Sequence, residues 1–184
     1  GPLAWGCEPG DPFVAAAFDA VVGVWRDQGA VAAFTRFHPL LGNAGILSGL
    51  SVAPLGSDGS GGVVAGGHTV SVDLSAGVEA ARANYAKDLS RDIRALRRYG
   101  MVTIKDESWE HLSTFATLYR ETMVRSRARQ YYFFDEQHFR GLRDALDGNL
   151  HLFVTIADGE VAAGALFTEF DGIVEWYLVG TAAE

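Results

Sequence analysis

The sequence contains a single cysteine, Cys7, among 184 residues. One thiol cannot form an intrachain disulfide or a cysteine-based metal cluster, which excludes the class of small disulfide-stapled domains. Hydrophobic runs are short as well, and none approaches the roughly 18 apolar residues of a membrane helix, so no integral membrane segment is predicted. No positively charged, apolar leader opens the sequence. We therefore expect the cytoplasm as the compartment.

Lysine is also scarce, with two lysines against thirteen arginines. The net charge of -8 argues against nucleic-acid binding through the whole surface. Residues 82–129 nevertheless hold eleven basic and six acidic residues, a net charge of +5, while the rest of the chain carries -13. Guanidinium groups suit phosphate recognition, so this segment is where we expect a phosphate-bearing partner.

Apolar residues make up 48% of the chain, enough for one sizeable core or two small ones. The Asp–Pro start signal, the apolar spacing and Gly29 predict a helix over 12–27. The run "AVAAFTRF" predicts a strand over 30–37, and the alternation in "HTVSVDL" predicts another over 68–74. The glycine-rich stretch between them reads as a loop.

The second half has a clearer order of elements. Two helices, or one broken helix, end at Gly100 and are followed by a short strand, "MVTIKD". Then come a long amphipathic helix, "DESWEHLSTFATLYRETMVR", and a second helix, "DEQHFRGLRDAL", with an aspartate at its N-cap. Three strands joined by tight turns complete a β-α-α-β-β-β order over 101–180: "LHLFVTIAD", "VAAGALFTEFD" and "IVEWYLVG".

Four short motifs occur in a recognisable order: "FTRFHPLLGN", "SRDIRALRRYG", "LYRETMVRSRARQYYFF" and "WYLVGT". Together they resemble the FemABX-like branch of the GNAT acyltransferases, of peptidyltransferase or acetyltransferase type. The resemblance implies an α/β fold, a GNAT-like mixed sheet flanked by helices. Residues 1–75 would be the C-terminal part of a first GNAT-like domain, and 76–184 the N-terminal part of a second, truncated one. We therefore expect an internal fragment whose second sheet keeps an uncovered apolar face and is poorly stable alone.

The function implied by this resemblance is N-acyl transfer. The donor would be acyl-CoA or aminoacyl-tRNA, used as a co-substrate with no bound cofactor, and the acceptor an amine of a cell-wall, polysaccharide or peptide natural-product precursor. The acceptor end of tRNA is then a candidate partner. Both donors carry phosphates, so the basic segment fits either, and the oligomeric state stays open. The alternative is a non-catalytic module that kept the GNAT fold and lost the donor site.

The strand "IVEWYLVGT" corresponds to the strand at which GNAT folds stabilise the oxyanion with backbone N–H groups. Glu175 and Tyr177 lie two residues apart and share a face if the strand is regular. Tyr177 would protonate the leaving thiolate, and Glu175 would orient the amine or take its proton. The alternative is that one face packs on the core and the other meets solvent.

Four basic residues are spaced for one face of a helix and are candidates for binding donor phosphates: Lys87, Arg91, Arg94 and Arg98. Apolar residues line another face, which we expect to pack: Leu89, Ile93 and Leu96. The alternative is a solvated cationic face with nearby aspartates paired to the arginines.

Acceptor-binding candidates come from two places. In the resemblance, the segment after the long helix borders the acceptor cleft, which selects Arg125 and Tyr132; Arg125 could instead complement the helix dipole. At the end of the predicted strand 30–37, Arg36 would meet an acceptor phosphate or carboxylate beside His38, and Asn43 would fix the following loop. A structural strand-end role for His38 is the alternative. The histidines show no close pairing, so no metal site is predicted.

Overall fold

The structure is a computed structural model that describes residues 6–8, 10–33, 35–47 and 67–183. The chain divides into two compact units, Gly1–Asp73 and Leu74–Glu184. None of the helices in the described ranges has the length and apolar content needed to span a membrane.

The first unit contains helix α1, Pro12–Asp27, as predicted. Proline occupies the start of the helix, and the Asp11 carboxylate accepts a hydrogen bond from the Phe13 N–H at 2.8 Å. The chain leaves the helix through Gly29, whose φ of 81° suits glycine. Val14 is the buried residue of this helix.

The predicted strand over 30–37 is wrong for the described residues of that range, which form no strand. The Ala30 N–H donates to the Trp25 carbonyl at 2.9 Å, and Val31 is fully exposed. A strand is stable only when its backbone pairs with a neighbour, and the described part of the first unit contains no strand to provide one. A turn instead leads into a short 3-10 helix, Asn43–Leu47.

The predicted strand over 68–74 is wrong for the same reason. Its alternating apolar residues, Val70, Val72 and Leu74, stay exposed and unpaired with any strand of the described chain. Most of the glycine-rich loop predicted before it lies outside the described residues.

The second unit begins with two separate helices, α2 (Val78–Ala83) and α3 (Lys87–Arg98), which confirms the first of the two predicted alternatives. Helix α3 ends at Arg98, and Gly100 just beyond it has a φ of 76°, while the Met101 N–H donates to the Leu96 carbonyl at 3.2 Å. The predicted packing of the α3 apolar face is wrong, because none of its residues is buried and Leu89 and Leu96 are each 47% exposed.

Four strands follow the order expected from the sequence: β1 (Val102–Lys105), β2 (Leu150–Ala157), β3 (Glu160–Phe170) and β4 (Ile173–Thr181). They form one sheet in the order β1-β2-β3-β4, and each neighbouring pair is antiparallel. The two hairpins turn through Asp158–Gly159 and Asp171–Gly172, in which every residue has a positive φ, as type I′ turns require. The α/β fold class is therefore confirmed.

The core lies on one face of this sheet, beneath helices α4 (Leu112–Arg125) and α5 (Glu136–Leu146). Alternate residues of β2 and β3 supply the floor: Leu150, Leu152, Val154 and Leu166. Three buried aromatic rings form the roof, with the Phe139 ring edge-on to Phe115 at 5.2 Å and to Tyr119 at 5.3 Å.

Helix α4 starts later than the amphipathic pattern predicted. Asp106, which is 4% exposed, accepts hydrogen bonds from the Ser108 hydroxyl at 3.0 Å and the His111 N–H at 2.8 Å. This carboxylate holds the preceding segment in a turn, with Trp109 at φ 59°, so regular helix begins only at Leu112.

Two glycines let α4 lie close to the sheet. A Cβ on Gly180 would overlap the backbone of Leu118 and Tyr119, and a Cβ on Gly164 would lie 2.8 Å from the Phe115 ring. On the opposite face of the sheet, a groove of about 520 Å³ is lined mostly by apolar residues, among them Phe153, Phe167 and Val179.

Candidate active site

Strand β4 is irregular at the position that the sequence selected. Leu178 pairs with Leu166, but the next pair along the ladder is Trp176 with Phe167, so Tyr177 is the extra residue of a β-bulge. The condition that placed Glu175 and Tyr177 on one face, a regular strand, is therefore not met. Because of the bulge, the Tyr177 backbone does not pair with β3. Strand β4 is also an edge strand of the described sheet.

Tyr177 and Tyr132, two predicted site residues, come together around a third tyrosine. Tyr119 is 1% exposed, and its hydroxyl donates to the Tyr132 carbonyl at 2.7 Å. Burial raises the pKa of Tyr119, and the neighbouring Tyr177 and Tyr132 side chains raise it further. Tyr119 therefore remains a neutral hydrogen-bond donor, as expected for a core residue, while Tyr177 is 44% exposed.

The segment after α4 presents aromatic rings to solvent. Tyr131, Tyr132 and Phe133 are exposed, and the Tyr131 and Tyr132 rings lie 4.0 Å apart. The next residue, Phe134, turns inward and stacks on Tyr119 at 6.0 Å. The inner contacts of Phe134 and Tyr119 thus hold an outward aromatic surface in place.

Arg125 connects the end of α4 to the end of β4. Its guanidinium donates to the Thr181 carbonyl at 2.5 Å, the Thr181 hydroxyl at 2.7 Å and the Thr122 hydroxyl at 3.1 Å. The Thr181 N–H in turn donates to the Thr122 hydroxyl at 2.9 Å. The sequence analysis did not select either threonine. The one pattern that could have indicated Thr122 is its position three residues before Arg125 on the same helix. The acceptor-binding role of Arg125 stays a prediction.

The basic residues of α3 lie on its surface as expected. Arg91 pairs with Asp88 at 3.0 Å and with Asp92 at 3.3 Å, and the Arg94 Nε donates to the Ser90 carbonyl at 3.0 Å. Lys87 and Arg98 are exposed, with no carboxylate at ion-pair distance among the described residues. The donor-phosphate role of this face stays a prediction.

Of the three candidates of the first unit, Arg36 and His38 lie in a loop, and Asn43 begins the 3-10 helix that follows it. The His38 N–H donates to the Asn43 Oδ1 at 3.0 Å, and the Leu40 N–H donates to the His38 Nδ1 at 3.2 Å, so Asn43 and His38 close the turn between them. Since the described residues of 30–37 form no strand, the prediction that Arg36 and His38 lie at a strand end is wrong. Their role in acceptor binding stays a prediction.

One group of possible metal ligands lies within the described ranges: Asp106, Glu110 and His111, whose ligand atoms are within 4.8 Å of one another. The Asp106 carboxylate is already occupied, since it accepts from Ser108 and from the His111 backbone and contacts the His111 Nδ1 at 3.2 Å. These hydrogen bonds give Asp106 and His111 a structural role, which is to hold the turn before α4.

Comparison of the sequence with known protein families supports the fold expected from the order of helices and strands. Residues 83–184 match the family described as an acetyltransferase (GNAT) domain. No curated protein matches the chain significantly. The matched range contains helix α3, the four-stranded sheet, the two core helices and the bulge in β4. The match spans more than half of the sequence, and the chain therefore belongs to the GNAT acetyltransferase domain family.

Proposed function

We propose that this acyltransferase moves an acyl group from acyl-CoA to an amine, with the reaction centre at the bulge of β4. The observation that carries the proposal is the position of Tyr177, an exposed phenol at the residue where β4 leaves its ladder with β3. A bulge beside a sheet edge re-aims backbone and side chain at a ligand.

The reaction needs an oxyanion donor, a proton acceptor and a proton donor. The amine nitrogen attacks the thioester carbonyl, a C–N bond forms and the C–S bond breaks. Backbone N–H at the bulge stabilises the developing oxyanion, Glu175 takes the amine proton, and the Tyr177 hydroxyl protonates the leaving thiolate. Because Tyr177 is 44% exposed, its phenolate regains a proton from solvent.

The acceptor lies against the exposed aromatic surface at Tyr131, Tyr132 and Phe133, beside the cations Arg127 and Arg129. The Tyr119 hydroxyl holds the Tyr132 backbone within reach of Tyr177. Aromatic faces and guanidinium groups together suit a sugar or peptide that also carries negative charge. An amine of a cell-wall, polysaccharide or peptide precursor, the acceptors of the FemABX-like branch, has this chemistry.

The experiment is transfer of label from acetyl-CoA, and separately from charged tRNA, to a panel of amine acceptors by the full-length protein. We expect transfer from acetyl-CoA. Tyr177→Phe should lower kcat by about 100-fold with little change in KM, the usual effect of losing a general acid. Tyr99→Phe is the matched control, since Tyr99 is 77% exposed after α3.

Each contrary outcome has a definite meaning. Transfer from charged tRNA alone would replace the donor and keep the centre. A fully active Tyr177→Phe variant would move the centre away from the bulge. No transfer from either donor would overturn the enzymatic proposal in favour of a binding module.

A further inference from the structure

Helix α3 has an apolar side that the described part of the chain covers only in part, since its central residue Ile93 is half-buried. Leu89, Ile93 and Leu96 follow the spacing of one helical face, and Leu89 and Leu96 are each 47% exposed. Two tyrosines bracket the helix and are exposed as well, Tyr85 by 36% and Tyr99 by 77%. Exposed apolar residues that share one face of a helix mark an interaction surface more often than isolated ones do.

The same helix is strongly cationic. Its twelve residues include five basic residues and two aspartates, which gives the helix a net charge of +3. Asp88 and Asp92 both pair with Arg91. Within the described ranges no carboxylate lies at ion-pair distance from the remaining cations: Lys87, Arg94, Arg97 and Arg98. Their charge is therefore available to an anionic partner.

We propose that α3 docks in the headgroup region of an anionic lipid bilayer. The leucine side enters the boundary between headgroups and acyl chains, and the arginines contact lipid phosphates along their flexible stems. Tyrosines at both ends of the helix fit this depth, because their rings are apolar and their hydroxyls stay wet. The proposal concerns where the protein acts and is independent of the reaction centre at β4.

Other partners would bind favourably to only one of the two sides of α3, the cationic side or the leucine side. A free polyphosphate or an RNA would engage the cations and leave the leucine side exposed to water. A second copy of the chain would cover the leucines but would bring two helices of net charge +3 together. An anionic bilayer satisfies both sides of the helix at once.

The test is sedimentation of the full chain with vesicles of phosphatidylcholine containing about one third phosphatidylglycerol, compared with pure phosphatidylcholine vesicles, in the absence of substrates. We expect binding to the anionic vesicles only, weakened by added salt. Replacing both leucines, Leu89→Ser with Leu96→Ser, should reduce binding about 10-fold. Because neither side chain is in the core, circular dichroism should show an unchanged fold.

Val124→Ser is the matched control, since it removes an apolar side chain that is 59% exposed on another helix, and its binding should equal that of the parent protein. Arg97→Glu should weaken binding to anionic vesicles while leaving the leucine side intact. Absence of binding, or equal binding by the double serine variant, would overturn the proposal. So would binding to tRNA or acetyl-CoA through α3 without vesicle binding, or dimerisation that the double variant abolishes.

Discussion

Tyr119 carries the most consequential single hydrogen bond of the candidate site. Its buried hydroxyl donates to the Tyr132 carbonyl and thereby fixes the aromatic segment beside Tyr177. Tyr119→Phe should lower the free energy of unfolding by about 1–2 kcal/mol, because the ring stays while the donor is lost. Urea denaturation measures this, with Tyr99→Phe expected to change stability by less than about 0.5 kcal/mol. Equal effects of the two substitutions would show that the bond contributes nothing.

Asp106 predicts a pH dependence at the acidic end. Burial alone would raise its pKa, but hydrogen bonds from the His111 N–H and the Ser108 hydroxyl outweigh burial and hold the pKa below its ordinary 3.8. A carboxylate with a lowered folded pKa stabilises the folded state above 3.8, and that stabilisation is lost as the pH falls through the folded value.

Asp106→Asn should therefore destabilise the protein near neutral pH by about 1–2 kcal/mol, because the His111 N–H and the Ser108 hydroxyl lose a charged hydrogen-bond acceptor. The difference from the parent should shrink below pH 3.8. Denaturation at several pH values measures it, and Glu107→Gln, at an exposed neighbour, is the control. A difference that stays constant down to the acid limit would contradict the role of the charge.

At the scale of elements, the approach of α4 to the sheet depends on Gly180. An added Cβ would overlap the α4 backbone at Leu118 and Tyr119, which cannot move without displacing the helix. Gly180→Ala should destabilise by about 2–3 kcal/mol, whereas Gly164→Ala should cost less, because it meets the Phe115 side chain. Thermal denaturation compares the two.

Gly141→Ala provides the control for that series. It lies within α5, with nothing within 4 Å of an added Cβ, so alanine should stabilise the helix by about 0.5–1 kcal/mol. If Gly180→Ala were as well tolerated as Gly141→Ala, the close approach of β4 to α4 would not be a constraint on the fold.

Local signals predicted elements well where the chain could satisfy them by itself. Asp11 with Pro12, and Asp135, marked helix starts that the structure confirms, because a cap and a helix close within a few residues. The strand over 30–37 failed because apolar alternation says nothing about whether a partner strand is present. The late start of α4 followed from Asp106, whose hydrogen bonds override the apolar spacing of Trp109.

At the scale of the whole molecule, the sequence predicted the order of elements over 101–180, including strand β4, but not the irregularity within that strand. The bulge at Tyr177 depends on the register between β3 and β4, which no local pattern encodes. The exposure of α3 was missed because an apolar helical face predicts packing without naming what it packs against. Both features concern contacts between distant segments, and the two proposals made above depend on them.

The two units differ in how much core supports them, which predicts their hydrogen exchange. Helices α1 and α4 have similar lengths, 16 and 14 residues, but α1 buries Val14 alone while α4 buries Leu112, Phe115, Leu118 and Tyr119. Backbone bonding is alike in the two helices, so the difference in burial should decide how often each opens. We expect amides of α4 and β2 to exchange at least about 100-fold more slowly than those of α1, measured by mass spectrometry on the full chain. Equal protection of α1 and α4 would contradict this expectation, because it would mean that the number of buried side chains does not decide how often each helix opens.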